Sequence, residues 1–342
     1  MSFIQTVTGP LSVKDMGRLT SHDHIFCDDR CYSGDDWKKP ENEWLRRPVC
    51  MEDLGKIWYN LHKHQDNVVL DDPTLACEEL SYFREAGGGT IIDCTSIGIF
   101  RKPAELKAVS EKTGIPIVMG TGAYLEAAQP DFIKKASVDE LTALFLHELN
   151  VGADDTDIRC GFVGEIGISN FGESETRVLR AGARAAAETG TAILIHQPGL
   201  DHENQHILDV IASEGCPLER VVLSHNDVFW DQPDYLCAAM DRGAYICFDT
   251  FGLQMVLNWS IPFPRDWDRL TAVKELIRRG YGKQLLFGQD TCFKVQYRKF
   301  GGWGYAHLFS EIAPLALGMG YTRDELDDIL IHNPARVFCG EN

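Results

Sequence analysis

The chain alternates short apolar runs with longer segments in which Ala, Leu and Glu recur at helical spacing. Apolar runs of this length, bounded by turn residues, predict buried strands. The predicted strands are 19–24, 90–95, 116–121, 160–166, 192–196, 221–225, 244–249 and 285–290. Strands that alternate with helices are typical of βα units on a parallel sheet, and eight such units close a barrel. The pattern therefore predicts an α/β fold, a (β/α)8 TIM barrel with long βα loops at its C-terminal face.

Helical segments lie between the predicted strands, and most of them end at a glycine. These segments are 74–87, 103–114, 176–190, 203–215, 233–243 and 269–280. Glycine readily adopts the left-handed conformation of a helix C-cap, so each one marks the end of a helix before the next strand. Because no linker rich in Pro, Gly or Ser divides the chain, we predict a single domain over residues 1–342.

Two connections are too long for ordinary βα loops. Residues 28–67 follow the first predicted strand, and residues 291–305 follow the last one. In a barrel both would lie at the C-terminal rim, where barrel enzymes build their active sites.

Composition narrows the class of partner. The formal net charge of -18 repels phosphate backbones and anionic lipids, so we expect a small-molecule substrate and neither nucleic acid nor a membrane. The first residues lack the basic and then apolar pattern of a secretory signal. The eleven cysteines are scattered without a C-x-x-C pair, which favours reduced thiols and a cytoplasmic protein.

Residues able to bind a metal ion recur at the C-terminal ends of the predicted strands. Alternate residues of a strand face the same side, so His22 and His24 can converge on one point. The other four are Glu165, His196, His225 and Asp290. Burying imidazoles and carboxylates together is costly unless they are paired or coordinated, so the set predicts a metal centre.

Four imidazoles and two carboxylates suit divalent transition metals, with zinc first and manganese, cobalt or iron as alternatives. Two ions about 3.5–4 Å apart could share this set and hold a hydroxide between them. Since one carboxylate can bind both ions, Glu165 is the predicted bridging ligand.

This set resembles the ligand pattern of the phosphotriesterase family, within the amidohydrolase superfamily. The resemblance runs from "TVTGPLSVKDMG" to "HNPARVF". The motifs "VGEIGIS" and "KVQYRKFGGWGYAH" are similar to the branch in which glutamate replaces a carboxylated lysine, a branch that includes resiniferatoxin-binding phosphotriesterase-related proteins. The resemblance implies that His22, His24 and Asp290 bind one ion, that His196 and His225 bind the other, and that Glu165 bridges both.

Two positions depart from the family pattern. Asp23 stands where the family motif H-E-H has glutamate, at an outward-facing position where it would adjust contacts around the ligands. Trp303 stands where relatives often have a smaller or polar residue, so the family's substrates do not carry over directly.

The predicted function is a binuclear metal-dependent hydrolase, in which the bridging hydroxide attacks a small carboxylic amide, ester or lactone. Asp290 would accept the proton and pass it to the leaving group. Two alternatives stay open: a phosphotriesterase or phosphorylated-lactone hydrolase, and a barrel that binds an apolar ligand without turnover. The resemblance also implies a homodimer.

Residues after the strand ends are candidates for substrate binding. Tyr124 could donate to a substrate oxygen or pack at the rim, and Asp249 could meet a cation or hydroxyl or cap its own turn. Lys294, Tyr297 and Arg298 could receive a substrate anion, or be solvated. Trp303 and Phe251 could wall the pocket. His62, His64 and the other histidines show no ligand spacing, so no function is predicted for them.

Overall fold

Eight parallel strands form the centre of the molecule in a computed structural model that describes residues 3–257 and 261–340. They are Arg18–Asp23, Gly88–Asp93, Ile117–Thr121, Phe162–Gly167, Ile193–His196, Val221–Ser224, Tyr245–Phe248 and Leu285–Phe287. Each strand pairs with its neighbours in chain order. The backbone N–H groups of Gln289 and Asp290 donate to the carbonyl oxygen of His22, both at 3.1 Å, and so join the last strand to the first. The predicted (β/α)8 barrel is confirmed.

Helices follow the strands, and each of the six predicted helical segments overlaps one. The main helices are Pro73–Glu85, Pro103–Thr113, Val138–Asn150, Glu173–Thr189, Asn204–Ser213, Pro233–Met240 and Asp266–Arg278. Gly114 and Gly190 end two of them with φ of 68° and 69°, the left-handed cap that their sequence positions predicted. The helix Val138–Asn150 was not predicted, although Ser137 and Glu140 form a capping box at its start.

Shorter elements complete the chain. The helices among them are Leu54–Ile57, Asp131–Lys135, Ala313–Gly318, Arg323–Asp327 and Asn333–Cys339. Three antiparallel pairs lie outside the barrel: Phe3–Thr6 with Gly9–Ser12, Cys27–Asp28 with Val69–Leu70, and Val256–Leu257 with Ile261–Pro262. Within the described ranges, no helix combines the length and apolar character needed to cross a bilayer.

The barrel interior is apolar below and polar above. One apolar side chain from each barrel strand enters a single buried cluster: Leu19, Ile92, Val118, Phe162, Leu194, Val222, Cys247 and Leu286. Such a layer closes the lower part of the barrel as a packed core. The ionisable residues of the same strands lie toward the C-terminal ends and therefore share the space above this layer.

The two long loops contact each other over the rim. The N–H of Lys294 donates to the carbonyl oxygen of Asn67 at 2.8 Å, and the N–H of Val295 donates to Asn67 Oδ1 at 3.0 Å. The insertion after the first strand thus packs on the loop after the last strand, as expected for neighbouring strands of a closed barrel.

Candidate metal centre

The structure brings the six predicted ligands together above the apolar layer. On the first strand, His22 and His24 converge so that their ring centroids are 5.4 Å apart. His24 Nε2 lies 3.2 Å from Asp290 Oδ1, and His22 Nε2 lies 3.6 Å from the same oxygen. The donor atoms of these three residues lie within 4.8 Å of one another, so they could hold one cation.

A second group forms on the other side of Glu165. Glu165 Oε2 lies 3.4 Å from His196 Nδ1 and 3.4 Å from His225 Nε2, and these two nitrogens are 2.9 Å apart. Glu165 Oε1 instead faces His24 Nε2 at 4.0 Å. Glu165 Oε2 also lies 3.3 Å from His22 Nε2, so the Glu165 carboxylate contacts imidazoles of both groups, as a bridging ligand would.

The chemistry of the cluster fits cations. Among the described residues, His22 Nε2 and Glu165 Oε2 are buried without a hydrogen-bond partner, although they lie 3.3 Å apart. Burial opposes ionisation of Glu165, but the adjacent His22 and His196 hold the pKa of this carboxyl well below its usual range. Burial likewise opposes charge on His22, yet Glu165 and Asp249 raise its pKa. These carboxylates favour positive charge at the point where the ligands meet.

Asp249 orients two of the imidazoles. Its Oδ1 accepts the backbone N–H of His225 and lies 2.9 Å from His225 Nδ1, and its Oδ2 lies 3.1 Å from His22 Nδ1. Contacts at Nδ1 leave the Nε2 atoms of both rings free to bind a metal ion. Asp249 is completely buried and does not line the cavity, so the structure does not give it the substrate contact considered from the sequence.

We expect Asp249→Asn to weaken metal binding about 10-fold to 100-fold, the usual cost of losing a carboxylate behind a histidine ligand. Competition with a chromophoric chelator measures this affinity. The matched control is Asp201→Asn, which removes the same charge from an exposed aspartate at the cavity mouth and should leave metal affinity unchanged. Equal affinities of the two variants would contradict the orienting role.

Close packing at Gly288 sets the end of the last strand against the first. A Cβ at Gly288 would lie 2.8 Å from Asp249 Cβ and 2.9 Å from His22 Cβ, too close for any side chain. Two of the ligands, His225 and Asp290, adopt left-handed φ of 56° and 49°. Such conformations are unfavourable for residues other than glycine and cluster at functional sites.

A cavity of about 360 Å³ opens above the cluster, and His24, His196, His225 and Asp290 form part of its wall. Tyr124 also lines it, in keeping with the substrate contact proposed from the sequence. The Tyr124 hydroxyl lies 3.3 Å from His196 Nδ1 and 2.9 Å from the Tyr32 hydroxyl. Burial raises the pKa of Tyr124 well above its usual range, so its O–H stays available as a donor.

The predicted cationic residues lie outside the lining of this cavity. Lys294 Nζ is 2.5 Å from Asp66 Oδ1, so its charge is paired within the insertion. The Arg298 guanidinium lies 4.0 Å from the ring centroid of Tyr82. Both are close to Asp290 in sequence, but the loop carries them onto the insertion instead of toward the ligands. The structure thus provides no anion site at these residues.

Three of the predicted aromatic residues, Tyr297, Trp303 and Phe251, also lie outside the lining of the cavity. Tyr297 is buried, with its hydroxyl 3.0 Å from that of Tyr305. Trp303 is half-exposed and stacks on His307, and Phe251 packs against Phe287. None of the three predicted aromatics lines the cavity described above. Asp23 is completely buried, and its Oδ1 accepts the N–H of Thr291 at 3.0 Å, which secures the backbone beside Asp290.

Sequence reasoning missed the residues that shape the cavity. Asp29, Tyr32 and His62 come from the insertion, and Phe293 comes from the last loop. The ring centroid of His62 lies 4.6 Å from that of Tyr32 and 5.0 Å from that of Phe293. The only sequence signal was the pairing of acidic and aromatic residues in "CDDRCY", directly after the first strand.

Comparisons with known proteins match the chain over nearly its whole length. The model of the Phosphotriesterase family matches residues 2–338. An N-acetyltaurine hydrolase of Danio rerio is 34% identical over 341 residues, which cover 97% of each chain. A resiniferatoxin-binding protein from Rhodobacter sphaeroides superposes with a TM-score of 0.96 at 32% identity, over 99% of this chain and 95% of that one. A phosphotriesterase homology protein from Escherichia coli, with phosphate in its active site, superposes with a TM-score of 0.79 at 25% identity. The superposition covers 95% of this chain and 99% of that one.

Proposed function

The chain belongs to the phosphotriesterase family and is a metal-dependent hydrolase, and from this premise we propose that it cleaves a small carboxylic amide at two divalent metal ions. The observation that carries the proposal is Glu165, whose carboxylate contacts imidazoles of both groups of predicted ligands at the base of one cavity. His22, His24 and Asp290 would hold one ion, and His196 and His225 the other. Imidazole and carboxylate donors favour zinc.

An amide is preferred over other acyl compounds because a relative 34% identical is named for the hydrolysis of N-acetyltaurine, an acetamide. Esters and lactones present the same carbonyl carbon and remain possible substrates of one site. A cluster of six predicted ligands, of which His22, His24 and Glu165 are buried, supports hydrolysis over simple binding of an apolar compound, since a binding protein has no need of such a costly arrangement.

The metal ions, Asp290 and Tyr124 would each have a separate role in the hydrolysis. When bound, the ions would lower the pKa of water and polarise the oxygen under attack. Asp290 Oδ1 faces His22 and His24, which leaves Oδ2 to accept the proton of the attacking water and return it to the leaving nitrogen. Tyr124 would donate its O–H to the substrate oxygen. Water adds its hydroxyl to the carbonyl carbon and its proton to the nitrogen as the C–N bond breaks.

We expect two ions per chain in the reconstituted protein, and a gain of about 5 kcal/mol in the free energy of unfolding at metal concentrations near 100 times the Kd of each site, since each site contributes about 2.7 kcal/mol. Elemental analysis and denaturant unfolding before and after chelation measure both. Turnover is then assayed on N-acyl amines, aryl esters, lactones and a phosphotriester. A loaded protein that hydrolyses none of them would overturn the proposal, and turnover of the phosphotriester alone would replace the amide by a phosphoryl substrate.

A further inference from the structure

The cavity above the ligands is acidic. Besides the predicted metal ligand Asp290, its charged lining residues are Asp29 and Asp201, and no lysine or arginine is among the described residues of its wall. The residues that the structure does not describe, 1–2, 258–260 and 341–342, include neither lysine nor arginine. A sulfonate or carboxylate on the distal part of a substrate would therefore meet no side-chain cation there.

Asp29 is the carboxylate most in need of a partner. It is 5% exposed, and its Oδ1 accepts only the Cys27 thiol, a weak donor, at 3.4 Å. No arginine or lysine pairs with it among the described residues. A buried carboxylate without a strong donor is costly, and here it faces an open cavity.

Aromatic rings line the same cavity as this carboxylate. The backbone N–H of Tyr32 donates to the carbonyl oxygen of Asp29 at 3.1 Å, which holds the two residues together on one turn. The His62 ring contacts the ring of Tyr32 on one side and the ring of Phe293 on the other. These three rings together form one wall of the cavity. A carboxylate and aromatic rings that line one cavity can bind an alkylammonium group, through a charge-assisted hydrogen bond and cation–π contacts.

We propose that the substrate carries a protonated amine, which Asp29 accepts while the rings of Tyr32 and Phe293 cover its alkyl chain. This inference rests on the proposed amide hydrolysis and narrows it to acylated diamines, whose amide is cleaved at the ions while the second amine binds Asp29. Burial raises the pKa of Asp29 to about 7, and an ammonium partner would favour its ionised form.

Three acetamides of similar size and different charge test the proposal. N-acetylethylenediamine is cationic, N-propylacetamide is neutral and N-acetyl-β-alanine is anionic. We expect the metal-loaded protein to prefer the cation to the neutral amide at least about 10-fold in kcat/KM and in calorimetric affinity, the scale of one hydrogen bond to a charged group. Asp29→Asn should abolish that ratio, and Asp201→Asn should keep it.

Phe293→Leu supplies a second variant that removes a ring but keeps an apolar side chain, and it should lower the preference about threefold. Preference for the anion in the wild type, no preference, or a preference that survives in Asp29→Asn would overturn the inference. Hydrolysis of all three amides without preference would leave the proposed function standing. Binding of the cation that depends on Asp29, in a protein that hydrolyses neither these amides nor the other N-acyl amines, esters, lactones and phosphotriester, would instead refute the proposed function and support the cation site.

Discussion

Asp290→Asn is expected to lower turnover at least about 100-fold while both metal ions stay bound, because proton transfer by a positioned side chain contributes 10² to 10⁴ in rate. An asparagine keeps an oxygen that can face His22 and His24, where Asp290 Oδ1 now lies at 3.6 and 3.2 Å. It cannot accept the proton of the attacking water. Turnover on the best substrate, divided by the metal content of the same sample, measures the effect.

The control for this prediction is Asp201→Asn, which removes a carboxylate from the exposed mouth of the same cavity. Its turnover should stay within about twofold of the wild type, since an exposed charge exerts little force on distant groups. Unchanged turnover of Asp290→Asn at full metal occupancy would exclude Asp290 as the proton carrier, and Tyr124 would be the next residue to substitute.

Strand periodicity explains how much of the centre the sequence could predict. A buried strand fixes which residues share its face, so apolar runs ending in His22, His24, His196 and His225 define both the barrel and the direction of those imidazoles. The six residues then meet because the C-terminal ends of parallel strands lie at one rim. His22, Glu165 and His196 lie within the observed strands and follow this argument directly. His225 and Asp290 lie just after their strands in left-handed conformations that no strand pattern predicts.

The shape of the substrate cavity depends on loops, whose conformation cannot be predicted from a periodic pattern of apolar residues. Lys294 is only four residues from Asp290, but the loop pairs its backbone with Asn67 and its Nζ with Asp66, away from the ligands. Asp29 reaches the cavity because the insertion folds back after the first strand. The role of Asp249 could not be predicted from its position, because a carboxylate at a strand end can bind a metal, a substrate or a histidine. Only the contacts of Asp249 in the structure show that it binds histidines.

A buried ion-pair network behind the centre should dominate the stability of this side of the barrel. Arg269 is completely buried, and its Nε donates to Asp227 Oδ2 at 2.7 Å. Its other nitrogens donate to Asp266 Oδ1 at 2.9 Å, Thr250 Oγ1 at 2.6 Å and the Leu253 carbonyl oxygen at 2.8 Å. The arginine therefore links the loops after the sixth and seventh strands to the helix Asp266–Arg278.

Arg269→Met should lower the free energy of unfolding by about 3–5 kcal/mol, because it leaves Asp227 buried without its cation. Guanidinium unfolding at a fixed metal concentration measures the change. The matched control is Arg265→Met at the N-cap of the same helix, because the Arg265 side chain that pairs with Asp268 is 72% exposed, and it should cost less than about 1 kcal/mol. Adding Asp227→Asn to Arg269→Met should recover part of the loss, since the unpaired charge disappears. If Arg269→Met costs no more than Arg265→Met, the loops are held by packing and not by this network.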